Sequence, residues 1–232
     1  YGPDEYAGIT YSNTGNRKIF LGWMSNWQYG EAVPTDPWRS AMTIPRDLGL
    51  EKVGEKFLIT SRPSPELNHL NESSWSGTNI SASHYDLTAK AGKIKGPFRL
   101  TFTTNQLADF SLTLSNSKSE KIVVGFDKQA NYFYIDRTQS GKTDFEKGFA
   151  KKHTAPRLSN RQNEDITLVV DNASIELFAD NGLTTMTEIF FPAEIFSSVK
   201  FQSANNFLLQ SIQLTRLKSI WKKQNLTAAI QR

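Results

Sequence analysis

The sequence contains no cysteine, which excludes disulfides and thiolate metal sites and fits an exported bacterial protein. Histidine is scarce, with three in 232 residues. His69, His84 and His153 lie far apart, and none sits in a metal-ligand spacing such as His-Glu-x-x-His. Each therefore reads as a surface or structurally satisfied ring. There is no Gly-x-Ser-x-Gly nucleophile elbow and no Gly-rich phosphate loop. Apolar runs stop after a few residues, far short of the ~20 that a membrane-spanning helix needs. The net charge of +4 comes from 27 Lys and Arg against 23 Asp and Glu, spread along the chain. Only the C-terminal end gathers basic residues, at Arg216, Lys218, Lys222, Lys223 and Arg232. This reads as a solvated tail, not a nucleic-acid surface. The expectation is a chain with no nucleic-acid partner, no membrane partner, no metal and no cofactor.

What is present is strand after strand. "EYAGITY" (5–11), "KIFLGWM" (18–24), "SAMTIPRDL" (40–48) and "KFLITSRP" (56–63) are short, β-branched or aromatic, and separated by turn residues. Four such strands make one exposed sheet, the size of one propeller blade, and need neighbours. The polar stretch 63–79, with Pro63, Pro65 and a Ser/Asn cluster, reads as a connector with a helical turn at 66–70. Beyond it, "SHYDLTAKA", "PFRLTFTT", "DFSLTLSN", "KIVVGFD", "YFYIDRT", "DITLVVD", "SIELFAD", "TTMTEIFFP", "SVKFQSA" and "LLQSIQLTRL" give the rhythm of an all-β sandwich. Asn181-Gly182 marks a hairpin turn.

Chemistry concentrates in the loop after the second strand. Trp23, Trp27, Tyr29 and Trp38 fall close together, with Asn26, Gln28, Asp36 and Arg39 among them. Flat aromatic rings suit the C–H faces of sugars, and such polar groups suit their hydroxyls. Trp23, on a strand, reads as packing. Trp27 and Trp38, on a loop and flanked by polar residues, read as a binding rim. A sugar hydrolase also needs paired carboxylates. Asp4, Glu5, Glu31, Asp36 and Asp47 are the candidates in this region, and Asp4 stands out at a strand entrance.

"GWMSNWQYGEAVPTDPWRSAMTIPRDLGL" closely resembles the end of the catalytic domain of glycoside hydrolase family 32, the levanases, inulinases and invertases. "YGPDEYAGITY" resembles the start of that family's last blade. "YFYIDRTQSGKTDF" and "ITLVVDNASIELFADNGLTTMTEIFFP" resemble its C-terminal sandwich, and "SIW" at 219–221 its usual ending. The resemblance covers nearly the whole chain. It implies a five-bladed β-propeller followed by a β-sandwich, and cleavage of terminal β-fructofuranosyl units with retention through an aspartate nucleophile and a glutamate acid/base, without a cofactor.

The family's catalytic motifs are not in this sequence. No Asn-Asp-Pro occurs, Arg46-Asp47 is followed by Leu48 instead of proline, and no glutamate precedes a cysteine. The implied organisation is the last propeller blade over 1–63, a linker over 64–80, the β-sandwich over 81–218 and a basic tail over 219–232, with no catalytic residue. The resemblance implies Trp27 and Trp38 as pocket aromatics, and Asp4 and Arg39 as polar supports. The substrate would be a fructan such as levan or inulin, or sucrose. The remaining blades would belong to the same particle, and the location would be secreted, periplasmic or cell-surface. The alternative is a non-catalytic carbohydrate-binding or structural sandwich, the latter a homodimerising element.

Overall fold

The computed structural model describes residues 1–220, so Trp221 and the rest of the expected basic tail lie outside the described residues. The first unit is one antiparallel sheet of β1 (Tyr6–Thr10), β2 (Lys18–Met24), β3 (Ala41–Met42), β4 (Arg46–Val53) and β5 (Lys56–Pro63). The strand order is β1-β2-β4-β5, with β3 paired to the end of β2. The single strand expected over 40–48 is therefore two. Ala41–Met42 extends one partner of β2, and the chain then runs through Thr43-Ile44-Pro45 before β4 begins. Pro45 has no amide hydrogen for a ladder, which explains the break. β4 continues to Val53, and the turn to β5 is Gly54-Glu55.

The second unit is built from β6 (Asn71–Asp86), α1 (Leu87–Ala91), β7 (Phe98–Thr104), β8 (Phe110–Ser115), β9 (Lys121–Asp127), β10 (Tyr132–Gln139), β11 (Lys152–Pro156), β12 (Glu164–Val170), β13 (Ser174–Ala179), β14 (Thr184–Ile189) and β15 (Ser198–Leu217). The strand order is β11-β10-β9-β8-β15-β7-β12-β13-β14. β15 holds the sandwich together. Its first part, 198–202, pairs with β8, and its last part, 211–216, pairs with β7. The two halves of the sheet close over one core, where Phe102 of β7 meets Phe110, Phe201 and Phe207 at 5.4–6.4 Å between ring centroids. β7 alternates strictly between buried and half-buried residues. Each large apolar side chain so buried contributes about 1.5–3 kcal/mol.

Two expectations need correction here. The connector 64–80 is only partly a connector. A 3-10 turn covers Pro65–Leu70, and from Asn71 the chain is already in β6, paired with β15 as far as Leu217. β6 forms the edge of both halves of the sandwich, so most of its residues stay in solvent and its Ser/Asn composition costs little. The strand expected over 83–91 ends at Asp86, whose carboxylate accepts from the Ala89 amide (2.9 Å) and caps α1.

β14 joins the two units. All six of its residues are buried: one face lines the sandwich core and the other lies against the blade. The turn before β14, Asp180–Gly182, sits on the blade. There Arg62 Nε donates to the Asn181 carbonyl (2.8 Å), and Asn181 Nδ2 donates to Glu51 (2.8 Å). Behind this turn Glu164 is 2 % exposed and accepts from the Asp180 amide at 2.5 Å. Burial, and then the neighbouring Asp180 carboxylate, push its pKa up to about 9.

A carboxyl whose folded pKa lies above its unfolded value near 4.5 stabilises the fold fully below that value. The contribution is lost as pH rises toward the folded pKa. Thermal stability is therefore expected to decline between about pH 5 and pH 9 through this group. Glu164→Gln should flatten the decline and raise the melting temperature at pH 8. An unchanged slope in melting curves across that range would remove Glu164 as its source.

Candidate functional site

The end of β2 delivers Trp23 and then the loop 25–39, which carries most of the aromatic cluster. Asn26 Oδ1 accepts from the Gln28 amide (2.9 Å) and its carbonyl from the Gly30 amide (2.9 Å), a tight turn built by an asparagine side chain. This turn swings Trp27 back over Trp23, edge-on at 5.2 Å between centroids. Tyr6 of β1, in register with Trp23, completes the group at 6.3 and 6.4 Å from the two indoles. Gly30 lies beneath: a Cβ there would sit 2.8 Å from the Asn26 carbonyl oxygen and 3.0 Å from the Trp23 ring. Trp27 is 74 % exposed, too open for a packing residue.

Trp23, Trp27, Gly30, Glu31, Arg39 and Ser40 line an open cleft of ≈ 360 Å³. Its walls are largely indole, with one carboxylate and one guanidinium as acceptor and donor. Arg39 Nη1 is tied back to the Thr35 hydroxyl (3.2 Å) and the Trp38 carbonyl (3.4 Å). Trp38 is half exposed and neighbours this cleft along the loop without lining it. Glu31 is the sole carboxylate in the lining. A retaining glycosidase uses two carboxyl groups about 5–5.5 Å apart, so this wall, with Glu31 alone, does not hold such a reacting pair.

Asp4 does not support the cleft. It is fully buried and both its oxygens are committed. Oδ1 accepts from the Tyr29 hydroxyl (2.5 Å) and Asn26 Nδ2 (3.1 Å); Oδ2 accepts from Arg137 Nη1 (2.5 Å) and the Ile189 amide (2.9 Å). A carboxylate has about four acceptor positions, and none is left for a sugar hydroxyl. The other carboxylates divide similarly. Glu5 pairs with Arg46 (2.5 Å) and Asp47 with Arg17 (2.8 Å), while Asp36 is exposed.

Asp4 is instead the blade's end of a buried joint, which the sequence pattern did not reveal. Arg137, from β10, donates to Asp4, to the Tyr29 hydroxyl (2.8 Å) and to the carbonyls of Phe149 (2.8 Å) and Ile189 (3.2 Å). Its guanidinium lies 3.9 Å from the Phe149 ring centroid. Glu188 of β14 is 3.0 Å from Arg137 and 2.9 Å from His153 Nδ1, at ion-pair distance without hydrogen-bond alignment. Burial is the largest influence on Glu188 and raises its pKa. Burial and the Asp4 charge raise that of Tyr29, which stays a neutral donor. Met24, Tyr29, Val33, Phe149 and Ile189 close an apolar cluster around this joint. The loop bearing Trp27 is thus anchored two residues away, at Tyr29, by the sandwich.

Removing one partner of a buried ion pair leaves the other unpaired, at a cost of about 3–5 kcal/mol. Arg137→Met should reduce stability by that order. Arg137→Lys, which keeps the charge but not the fork, should fold with a lower unfolding midpoint and a more quencher-accessible Trp27. Chemical denaturation with acrylamide quenching checks both; unchanged quenching in the Lys variant would mean that Tyr29 does not set the loop.

Comparison with known proteins gives a consistent family. Residues 60–218 match the model of the glycosyl hydrolases family 32 C-terminal domain, and residues 1–61 match that of the family's N-terminal domain. The chain is 32% identical over 232 residues to a levanase of Bacillus subtilis, covering 95% of this chain and 34% of the levanase. It is 30% identical over 201 residues to an extracellular exo-inulinase of Aspergillus awamori, covering 83% and 37%. The crystal structure of exo-inulinase from Aspergillus awamori superposes with a TM-score of 0.82 at 27% identity, covering 95% of this chain and 44% of that one. The chain thus spans about a third of the length of these curated relatives. The order of blade and sandwich, the matched residues and the superposition agree, and the chain belongs to glycosyl hydrolase family 32.

Proposed function

We propose that this chain is the last propeller blade and sandwich of a retaining hydrolase that removes terminal β-fructofuranosyl units from levan, inulin or sucrose. The observation that carries this reading is the cleft of Trp23, Trp27, Glu31 and Arg39 in a chain of this family. In it, Trp27 offers a flat apolar surface to the sugar ring. Arg39 and Glu31 offer a donor and an acceptor to its hydroxyls, and Trp38 extends the aromatic rim. The carboxylates that break the glycosidic bond come from the other blades. The naming of one relative as extracellular supports an extracellular location.

The blade's outer surface supports the reading that other blades are its partners. Ile9, Leu50, Phe57 and Ile59 are each more than 60 % exposed, and Tyr6 and Tyr11 about half exposed. Leu50 and Ile59 are cross-strand neighbours on one face of the sheet, and Ile9, paired with Leu21, is on the other; large apolar side chains left exposed in this way mark interaction faces. The covering partner is the rest of the propeller, in the same protein or a companion chain.

Two outcomes follow. In the complete enzyme, Trp27→Ala should raise KM for fructan and for sucrose about tenfold or more, equal to about 1.4 kcal/mol of lost binding. Trp38→Ala should weaken binding less, and both variants should keep the wild-type melting temperature. Fructose release measured over a substrate series decides this; unchanged KM in both variants would remove the rim from substrate binding. Separately, the isolated chain should self-associate in size-exclusion chromatography, and Phe57→Lys with Ile59→Lys should shift it to monomer. A cooperative wild-type monomer would show that the face needs no cover.

A further inference from the structure

We propose that the outer face of the sandwich, away from the cleft, carries a second and non-catalytic site for a fructan chain. This rests on the fructan reading above. β15, β8, β9 and β10 place one row of side chains across this face. Gln202 is in register with Ser111, Ser111 with Gly125, and Gly125 with Tyr134. The row continues to Thr154 of β11. Along it lies an open hollow of ≈ 280 Å³, lined among others by Asp109, Ser111, Asp127, Tyr134, Lys152 and Gln202.

Gly125 sets how Tyr134 lies at the hollow. A Cβ on Gly125 would lie 2.5 Å from the Tyr134 ring and hydroxyl and 2.4 Å from the Phe110 carbonyl oxygen. Glycine there lets Tyr134 lie across the sheet, its neighbours Phe133 and Ile135 pointing into the core. Lys152 Nζ stands 3.9 Å above the Tyr134 ring centroid. The ring faces are thus taken by glycine and ammonium, and Tyr134 offers its edge and hydroxyl.

The polar groups are unspent. Asp109 and Asp127 each give one oxygen to a loop amide, Lys128 and Ala130 respectively, both at 2.8 Å. Among the described residues, their second oxygens, the Lys152 ammonium and the Gln202 amide have no hydrogen-bond partner. Acceptors, an ammonium donor, an amide that does both and a phenol side by side match a neutral chain of hydroxyls. Two carboxylates against one ammonium disfavour an anionic sugar. The hollow is open and shallow, suited to the side of a polymer and not to an enclosed monosaccharide. A polymer held here and in the cleft gains effective concentration that a disaccharide cannot.

The test is affinity electrophoresis of the chain in gels containing levan, inulin or dextran, with Trp27→Ala introduced to silence the cleft. The Trp27→Ala chain should be retarded by levan or inulin and not by dextran. Adding Lys152→Ala and Gln202→Ala, both exposed positions that leave the core intact, should weaken retention about tenfold, the size of one or two net hydrogen bonds. Absence of retardation, equal retardation in dextran, or retention unaffected by the two added substitutions would each overturn the site. The gel reads binding and not bond cleavage, so a failure of fructose release by the complete enzyme would leave its result standing. A failure of the gel would likewise leave the hydrolase reading intact.

Discussion

Two glutamates of the sandwich, Glu176 of β13 and Glu188 of β14, are 2 % and 0 % exposed. A carboxylate in such a place is costly unless it is paired and hydrogen-bonded, and burial raises both pKa values. The blade meets this demand at Glu176. Arg46 of β4 donates to it through Nη2 at 2.5 Å and Nε at 3.0 Å, then reaches Glu5 and the Thr187 hydroxyl. Burial works against the Arg46 charge, but Glu176 and Glu5 more than offset it, and its pKa is raised. At Glu188 the sandwich supplies its own cation, Arg137, and the blade supplies the second carboxylate, Asp4. The two stations are complementary: each arginine is shared between an acid of the blade and an acid of the sandwich.

This sharing ties the sandwich to the aromatic cleft. Arg137 holds Asp4 and Tyr29, which flank the turn carrying Trp27 in space, while Asn26 links Asp4 to the start of that turn. Gln28 adds a contact from the same turn to Glu146 of the sandwich (3.3 Å). The loop's exposed indole therefore stands on a buried, hydrogen-bonded base rather than on a free loop. A ring held in place before the ligand arrives loses less entropy on binding. The sandwich thus positions the cleft without lining it.

Much of the strand rhythm was legible because inward positions alternate, as in Phe98-Leu100-Phe102 and Ile166-Leu168-Val170. β6 was not, because an edge strand with solvent on most of its positions shows no apolar alternation. The aromatic loop was visible from residue types, and its Trp27 is exposed and lines a cleft. Asp4 misled because a strand-entrance carboxylate looks the same in sequence whether it faces solvent or an arginine 133 positions away. Tyr6 was missed because its partner Trp23 is a cross-strand neighbour, which only register reveals. Arg137 sits in "YFYIDRT", where period-2 alternation does mark an inward position. A basic residue at such a position is the signal that buried acids face it, although it does not say which ones.

The two sides of the blade differ in a way that bears on assembly. The side against the sandwich is closed by ion pairs and hydrogen bonds with fixed directions, which tolerate one arrangement. Elsewhere the blade exposes Leu50, Phe57 and Ile59, groups without directional demands. A joint of the first kind sets orientation, and one of the second kind supplies association energy in proportion to area. A propeller needs both: blades that pack by area around an axis, and an outside brace that fixes the rim. The blade and sandwich therefore form the oriented pair, joined through Arg46 and Arg137, and Arg137 also fixes Tyr29 at the base of the Trp27 loop.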